Sequence, residues 1–335
     1  PKEPPPDRPD KIYNEKGEDV AEFKTEELEK KTSMTVRLRP DGEWWITDEA
    51  GRSYESDTDA AFQMAKHVAS PELDRLLEQQ TDLGVFGLDK PAFKATAVFK
   101  DGHKRVLVVG KKNPTGTGYF AREEGGKDPQ VVLAAAWSVE QMRKAKIDLR
   151  TKNLTKFEVA QVTRLTLKRG RERLEFKREG EAWRLTSPVA APADRYAVES
   201  LLGEMKSLRG FEIIETDNAY SRHKLDQPAA VVTVVTGTGT GQVITLSRPK
   251  PAEDTAYATS SRNPFVIKLG SAQAVGAVLK PVEEFRERLL LQAGKDDATA
   301  LTLKEGSLDI SCAKDAKSGT WAMLKPVTAA TTTEF

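Results

Sequence analysis

Gly180-Glu181-Ala182-Trp183-Arg184-Leu185-Thr186 decides the fold, because the chain writes it three times. Gly42-Glu43-Trp44-Trp45-Ile46-Thr47 precedes it and Gly319-Thr320-Trp321-Ala322-Met323-Leu324 follows it. Trp45, Trp183 and Trp321 fall at equal intervals of 138 residues. A fixed long period with matching neighbours marks tandem copies of one structural unit. Trp45, Trp183 and Trp321 are therefore read as the core anchors that define the unit, in strands with polar neighbours.

The match extends in both directions. Phe86-Gly87-Leu88-Asp89-Lys90-Pro91 answers to His223-Lys224-Leu225-Asp226-Gln227-Pro228 at a separation of 137, and Thr117-Gly118-Tyr119 to Thr255-Ala256-Tyr257 at 138. Leu165-Thr166-Leu167-Lys168 recurs as Leu301-Thr302-Leu303-Lys304. The repeat divides the chain into a Pro-rich, charged stalk leading into the first strands (1–34), unit one (35–155), unit two (156–295) and the opening of a third (296–335). On this offset Phe335 corresponds to Ala197, inside the first helix of unit two, so the third unit is expected to be cut short.

Within unit two, Leu165 to Lys168 and Arg173 to Lys177 alternate apolar and charged residues around Arg169-Gly170-Arg171, the period and punctuation of a hairpin. Trp183-Arg184-Leu185 adds a strand. Behind Asp194, a helix start, Ala197, Val198, Leu201, Leu202, Met205 and Leu208 recur at three and four residues until Gly210. Phe211 to Ile214 returns as a strand. Val231 to Val235 and Val243 to Leu246 then form a second hairpin, and Tyr257 to Thr259 and Phe265 to Ile267 add two strands. Ala272 to Leu279 and Glu283 to Leu291 read as helices. Unit one follows the same order, with a helix over Asp59 to Val68, an apolar-periodic stretch after Pro71, and a hairpin of Phe93 to Phe99 with Arg105 to Val109. The expected fold is α+β: tandem units of about 138 residues, each a mainly antiparallel sheet with helices on one side.

Composition narrows the function. The 335 residues hold 52 basic and 51 acidic side chains, a net charge of +1 with 31% charged, which argues against a dedicated nucleic-acid binder. The single cysteine, Cys312, excludes an internal disulfide and a thiolate zinc site and reads as a small face residue of a strand. His67, His103 and His223 lack ligand spacing, so no metal and no cofactor is expected. Thr236 to Gly241 is followed by a strand and no lysine, so it is a hairpin tip and not a phosphate loop.

Asp89 and Asp226, ahead of Pro91 and Pro228, are the one acidic pair that repeats, and they read as turn residues at which Pro fixes an extended exit. No catalytic residue is assigned. Trp44, Tyr119 and Tyr257 are the aromatics placed to contact a ligand or partner, if a cleft between units holds one.

The Gly-x-x-Trp-x-Leu-Thr-x-Pro strand, the Ala-Asp-x-x-x-Val-x-x-Leu-Leu helix from Ala193, the Leu-Asp-x-Pro turn and the later Ala-Tyr strand resemble the bacterial repeat family called domain of unknown function 4340. Unit one departs from the pattern, with Asp57-Thr58-Asp59-Ala60 at the helix start, and unit two has His223-Lys224 where the family favours Tyr-Gly. The resemblance implies an envelope protein on the periplasmic side of the inner membrane, held by an N-terminal anchor that precedes this chain. It also implies genes beside ABC-type transporters similar to the gliding-motility kind, and it supplies no activity. The expectation is a non-enzymatic accessory scaffold that docks a transporter or another envelope protein, with a glycan- or lipid-binding module as the rival.

Overall fold

The computed structural model describes residues 10–77, 82–125, 130–237, 239, 241–249, 254–288 and 296–325. The Pro-rich start up to Pro9, the end of the expected second helix at Leu289 to Leu291, and the chain from Pro326 onward lie outside the described residues.

Unit one runs β1 (Val20–Glu27), β2 (Thr32–Leu38), β3 (Trp44–Asp48), β4 (Ser53–Glu55), α1 (Thr58–Ala69), β5 (Leu73–Leu76), β6 (Phe93–Phe99), β7 (Lys104–Lys112), β8 (Gly118–Glu123), β9 (Val132–Ala135), α2 (Ala136–Met142) and α3 (Lys146–Leu149). Unit two repeats this as β10 (Val162–Arg169), β11 (Glu172–Glu179), β12 (Ala182–Ser187), β13 (Ala191–Ala193), α4 (Arg195–Lys206), β14 (Gly210–Ile214), a one-turn α5 (Ala219–Arg222), β15 (Ala230–Thr236), β16 (Gln242–Leu246), β17 (Ala256–Ser260), β18 (Val266–Leu269) and α6 (Gln273–Val278). Each unit is one nine-stranded sheet, in the orders β4-β3-β2-β1-β6-β7-β8-β9-β5 and β13-β12-β11-β10-β15-β16-β17-β18-β14. Two antiparallel meanders are joined at the centre, where β1 pairs β6 and β10 pairs β15. Sheet one thus begins at Val20, within the segment that leads into unit one.

Alternation explains the layers. On β10, Leu165 and Leu167 are buried while Arg164 and Lys168 are exposed, the period of two that a strand imposes. The buried set meets Val198, Leu201, Leu202 and Met205 of α4 and Val275 and Val278 of α6 in one core. Phe23, Val36 and Ile46 meet Met64 and Val68 of α1 and Val139 and Met142 of α2 in the other. Each main helix starts on the same device: Asp57 accepts from the Ala60 amide at 3.1 Å, and Asp194 from that of Ala197 at 3.0 Å. The Asp57-Thr58-Asp59-Ala60 departure therefore keeps the cap.

A smaller cluster forms on the opposite face. Tyr257 alternates with the core residues Ala256 and Ala258, and packs with Ala219 of α5, Leu225 and Val266. In unit one Leu88, Val108 and Val131 occupy that place. The Leu-Asp-x-Pro turn works through its leucine: Leu88 and Leu225 are buried, whereas Asp89 and Asp226 are exposed.

The structure shifts the repeat register. Ile46 pairs Val36 as Leu185 pairs Phe176, so the partner of Trp183 is Trp44, not Trp45. Trp44 is 3% exposed and Trp183 2%, whereas Trp45 faces outward under the Arg39 guanidinium at 3.6 Å. The cause is the turn: Gly42 (φ +83°) sits two residues before its tryptophan and Gly180 (φ +64°) three before, both in the left-handed region that glycine tolerates. The same slip affects the tyrosines. Val109 pairs Ala121 as Leu246 pairs Ala258, which matches Tyr257 with Phe120 and places Tyr119 on the core side. One residue of offset moves a strand residue to the other face.

Two expected helices differ as well. The stretch after Pro71 is the strand β5, and Glu283 onward is only a 3-10 turn, Val282–Phe285, followed by extended Arg286. β5 pairs β9 at the sheet edge, and that pairing overrides the helical spacing of Leu73, Leu76 and Leu77.

A third sheet comprises β19 (Ala300–Glu305), β20 (Leu308–Lys314) and β21 (Trp321–Lys325). Leu301 pairs Cys312 and Cys312 pairs Met323, as Leu165 pairs Phe176 and Phe176 pairs Leu185. Leu301 and Met323 are 56% and 59% exposed where Leu165 and Leu185 are fully buried. These strands repeat the opening of the unit, with its core face uncovered among the described residues.

Candidate functional site

The strongest concentration of interacting polar groups lies where unit one hands over to unit two. From Leu149 the chain runs as an extended strap. The Asp57 amide donates to the Leu149 carbonyl at 2.7 Å and the Thr151 amide to the Glu55 carbonyl at 3.1 Å, tying the strap to unit one. The Gly210 amide donates to the Lys152 carbonyl at 3.1 Å and the Leu154 amide to that of Leu208 at 3.0 Å, tying it to unit two. Asn263, which is buried, donates through Nδ2 to the Thr151 carbonyl at 2.9 Å.

Side chains lock what the backbone joins. Arg150, 3% exposed, places its guanidinium carbon 4.2 Å from the Tyr54 ring centre and 4.3 Å from that of Phe265, and it pairs with Glu215. Tyr54 and Phe265 belong to different units and are 5.3 Å apart. A desolvated guanidinium on an aromatic face contributes about 0.5–2 kcal/mol, and here one cation serves two rings. Beside it Arg262 grips Glu55 through Nε at 2.7 Å and through a second nitrogen, and donates to the Thr155 carbonyl at 2.7 Å. Two-pronged arginine–carboxylate contacts fix orientation as well as distance.

An open cleft of about 320 Å³ borders this junction. Its cations and carboxylates are matched: Arg209 with Asp57 at 2.8 Å, Lys206 with Glu158 at 2.6 Å, and Lys156 with Glu43. The hydrogen bond from Lys156 holds the Glu43 carboxyl below its ordinary value against partial burial. The Arg209–Asp57 and Lys156–Glu43 pairs cross the unit boundary, and Lys206–Glu158 lies within unit two. Chemically the arrangement clamps. Among the described residues no group of three or more His, Cys, Asp or Glu has the geometry to hold a metal ion.

A family described as a domain of unknown function, DUF4340, matches residues 44–182 and again residues 183–334. The chain belongs to the DUF4340 family. No curated protein matches it, and no solved structure does. The two DUF4340 matches open at Trp44 and Trp183, the buried pair that the sheet registers equate. They are out of phase with the sheets. The first starts on the third strand of sheet one and ends after β11 of sheet two, so it carries the strap inside it, while Arg209, Glu215, Arg262 and Phe265 of the junction fall in the second match.

None of the aromatics singled out from the sequence lines the cleft of this DUF4340 chain. Trp44 is in the core of unit one, 5.8 Å from Phe23 between ring centres. Tyr119 is half-buried near Lys112 and Arg143. Tyr257 is buried and stacks on His223 at 3.7 Å, while Phe86 and Phe120 form the equivalent pair in unit one at 4.7 Å. His67 lies against Trp137, and burial lowers its pKa.

Sequence reasoning missed Tyr54, Glu55, Arg150, Arg262 and Phe265. A signal existed. By register Tyr54 and Glu55 stand where unit two has Ala191 and Pro192, so they are residues special to one copy within a repeated strand.

Proposed function

We propose that the chain is a non-enzymatic scaffold of the bacterial envelope that docks an ABC-type transporter or another envelope protein. The observation that carries this reading is the junction: charged groups of the two units are paired with each other and tie one unit to the next. Tandem-repeat proteins use such fixed stacking to present extended binding faces. We further infer that the longer helices α1, α2, α4 and α6 share one face of their sheets, as their common cores suggest, which leaves much of the other face for contact. The periplasmic location and the transporter rest on the family resemblance alone. Among the described residues no helix is long and apolar enough to cross a membrane.

The glycan-binding alternative draws less support, because Trp44 and Tyr257 are buried and the aromatics at the junction, Tyr54 and Phe265, already stack on Arg150. Crosslinking in cells that carry the full reading frame and its neighbouring transporter genes tests the proposal. Recovery of transporter subunits with the native chain, reduced by Arg262→Glu, is the expected result. Recovery of no envelope protein overturns it.

A further inference from the structure

The outward face of sheet two carries like charges across three adjacent strands. Arg164 on β10 stands directly opposite Lys177 on β11, and Lys177 directly opposite Arg184 on β12. Four residues along the ladder, Lys168 faces Arg173. Directly opposed side chains have Cβ atoms about 5 Å apart, and like charges so placed destabilise a sheet. Glu175 relieves Arg173 at 2.5 Å. Arg164, Lys168, Lys177 and Arg184 are exposed and have no ion-pair partner among the described residues.

The fold does not require this row. At the same positions unit one has Glu22, Arg37 and Trp45, with Glu22 and Arg37 joined at 2.5 Å. The third sheet has Ala300, Ala313 and Ala322. One position thus holds an ion pair in one copy, alanines in another and bare cations in the third. A local rule broken in a single copy, with no compensation inside the chain, points to an external partner.

The row borders an open hollow of about 420 Å³, into which Thr166 and Thr186 also face. We propose that this hollow binds a ligand bearing two or more phosphate groups. Charge density selects phosphate over carboxylate. A phosphate monoester brings about −1.5 to −2 charges and three strong acceptor oxygens, so two of them balance the three unpaired cations that line the hollow, Arg164, Lys168 and Lys177. Carboxylates would need three separate groups in the same space. Arg164 can grip two phosphate oxygens at once, and the Thr166 hydroxyl can donate to one left over. A soluble diphosphate and a membrane surface presenting several phosphate headgroups share this chemistry. The inference stands independently of the docking reading, since it uses neither the junction nor a protein partner.

The test is titration calorimetry with inorganic pyrophosphate beside cosedimentation with phosphatidylcholine vesicles containing phosphatidic acid. At least one probe should bind, and Lys177→Glu, which recreates the alternation of unit one, should weaken binding by about tenfold or more. The same variant should raise Tm by about 1–2 °C, so loss of binding cannot be loss of fold. Arg37→Ala in unit one should leave binding unchanged. Binding of pyrophosphate assigns the site to free phosphate esters, and binding of vesicles alone assigns it to headgroups. The proposal is overturned if neither probe binds, if Lys177→Glu binds like the native chain, or if polyglutamate binds as tightly as the phosphate probe.

Discussion

Arg150 and Arg286 leave their units at the same structural point and meet different fates. Each follows the last helical turn of its unit and forms an isolated bridge with the residue before the main helix cap, Ser56 for Arg150 and Ala193 for Arg286. The Asp57 amide donates to Leu149 at 2.7 Å, and the Asp194 amide donates to Phe285 at 2.9 Å. Yet Arg150 is buried over Tyr54 and Phe265, while Arg286 is exposed beside Ala191 and Pro192. The backbone strap belongs to the repeat, and the side-chain lock belongs to one copy. Sheet faces divide the same way: the core faces agree between units and the outward faces do not.

The largest effects should come from what the units share. Trp183→Ala and Trp44→Ala each remove a buried indole and should cost about 3–5 kcal/mol in denaturant unfolding. Trp45→Ala should cost less than about 1 kcal/mol, because its ring faces outward. Equal losses at Trp44 and Trp45 would break the register equivalence drawn above.

Next in size is the lock. Arg150→Ala leaves the two rings and Glu215 without their cation and should cost about 1–3 kcal/mol, the Glu215 share being small because that carboxylate is partly exposed. Arg286→Ala should stay within about 0.5 kcal/mol. The difference should also appear as separation of one thermal transition into two, since the lock couples the units. A single sharp transition in Arg150→Ala would show that the strap alone suffices.

The caps sharpen the comparison further. Asp57→Ala and Asp194→Ala each remove an N-cap worth about 0.5–2 kcal/mol. Asp57 also holds Arg209 of the next unit at 2.8 Å, so its loss should exceed that of Asp194 by a few tenths, up to about 1 kcal/mol. Their double-mutant cycles with Arg209→Ala should show coupling only for Asp57.

How much of this was legible follows from what repeats. The hairpins, the helix start at Asp194 and the tandem repeat all carry periodic signals, since apolar alternation and helical spacing are local properties. The register at Trp44 was not legible, because Trp44 and Trp45 both satisfy the composition of the motif and only turn length separates them. Tyr119 was matched to Tyr257 by identity when the ladder matches Phe120. The junction escaped because its residues, Tyr54 and Phe265 above all, stand 211 positions apart in sequence, and no local pattern reports a contact across units. The cation row is visible in sequence only as ordinary charged alternation. Its meaning depends on which strands are neighbours.

The smallest predicted effect concerns pH. Lys156 keeps the Glu43 carboxyl below its ordinary pKa, so the pair stabilises the folded chain fully above the unfolded value near 4.3 and loses that contribution as pH falls through the folded value. Lys156 is more than half exposed, so solvent screening limits the pair to about 0.2–1 kcal/mol. Glu43→Gln should therefore lower Tm slightly at neutral pH and by a shrinking amount below about pH 4, where the native carboxyl also becomes neutral. Glu181→Gln is the control from unit two, because Glu181 is largely exposed and pairs with Arg195 of its own unit at 3.1 Å. If both variants respond alike, the Glu43 effect is surface charge. A pH-dependent loss confined to Glu43 places part of the junction's stability in a charge pair that bridges the two copies and that neither copy makes by itself.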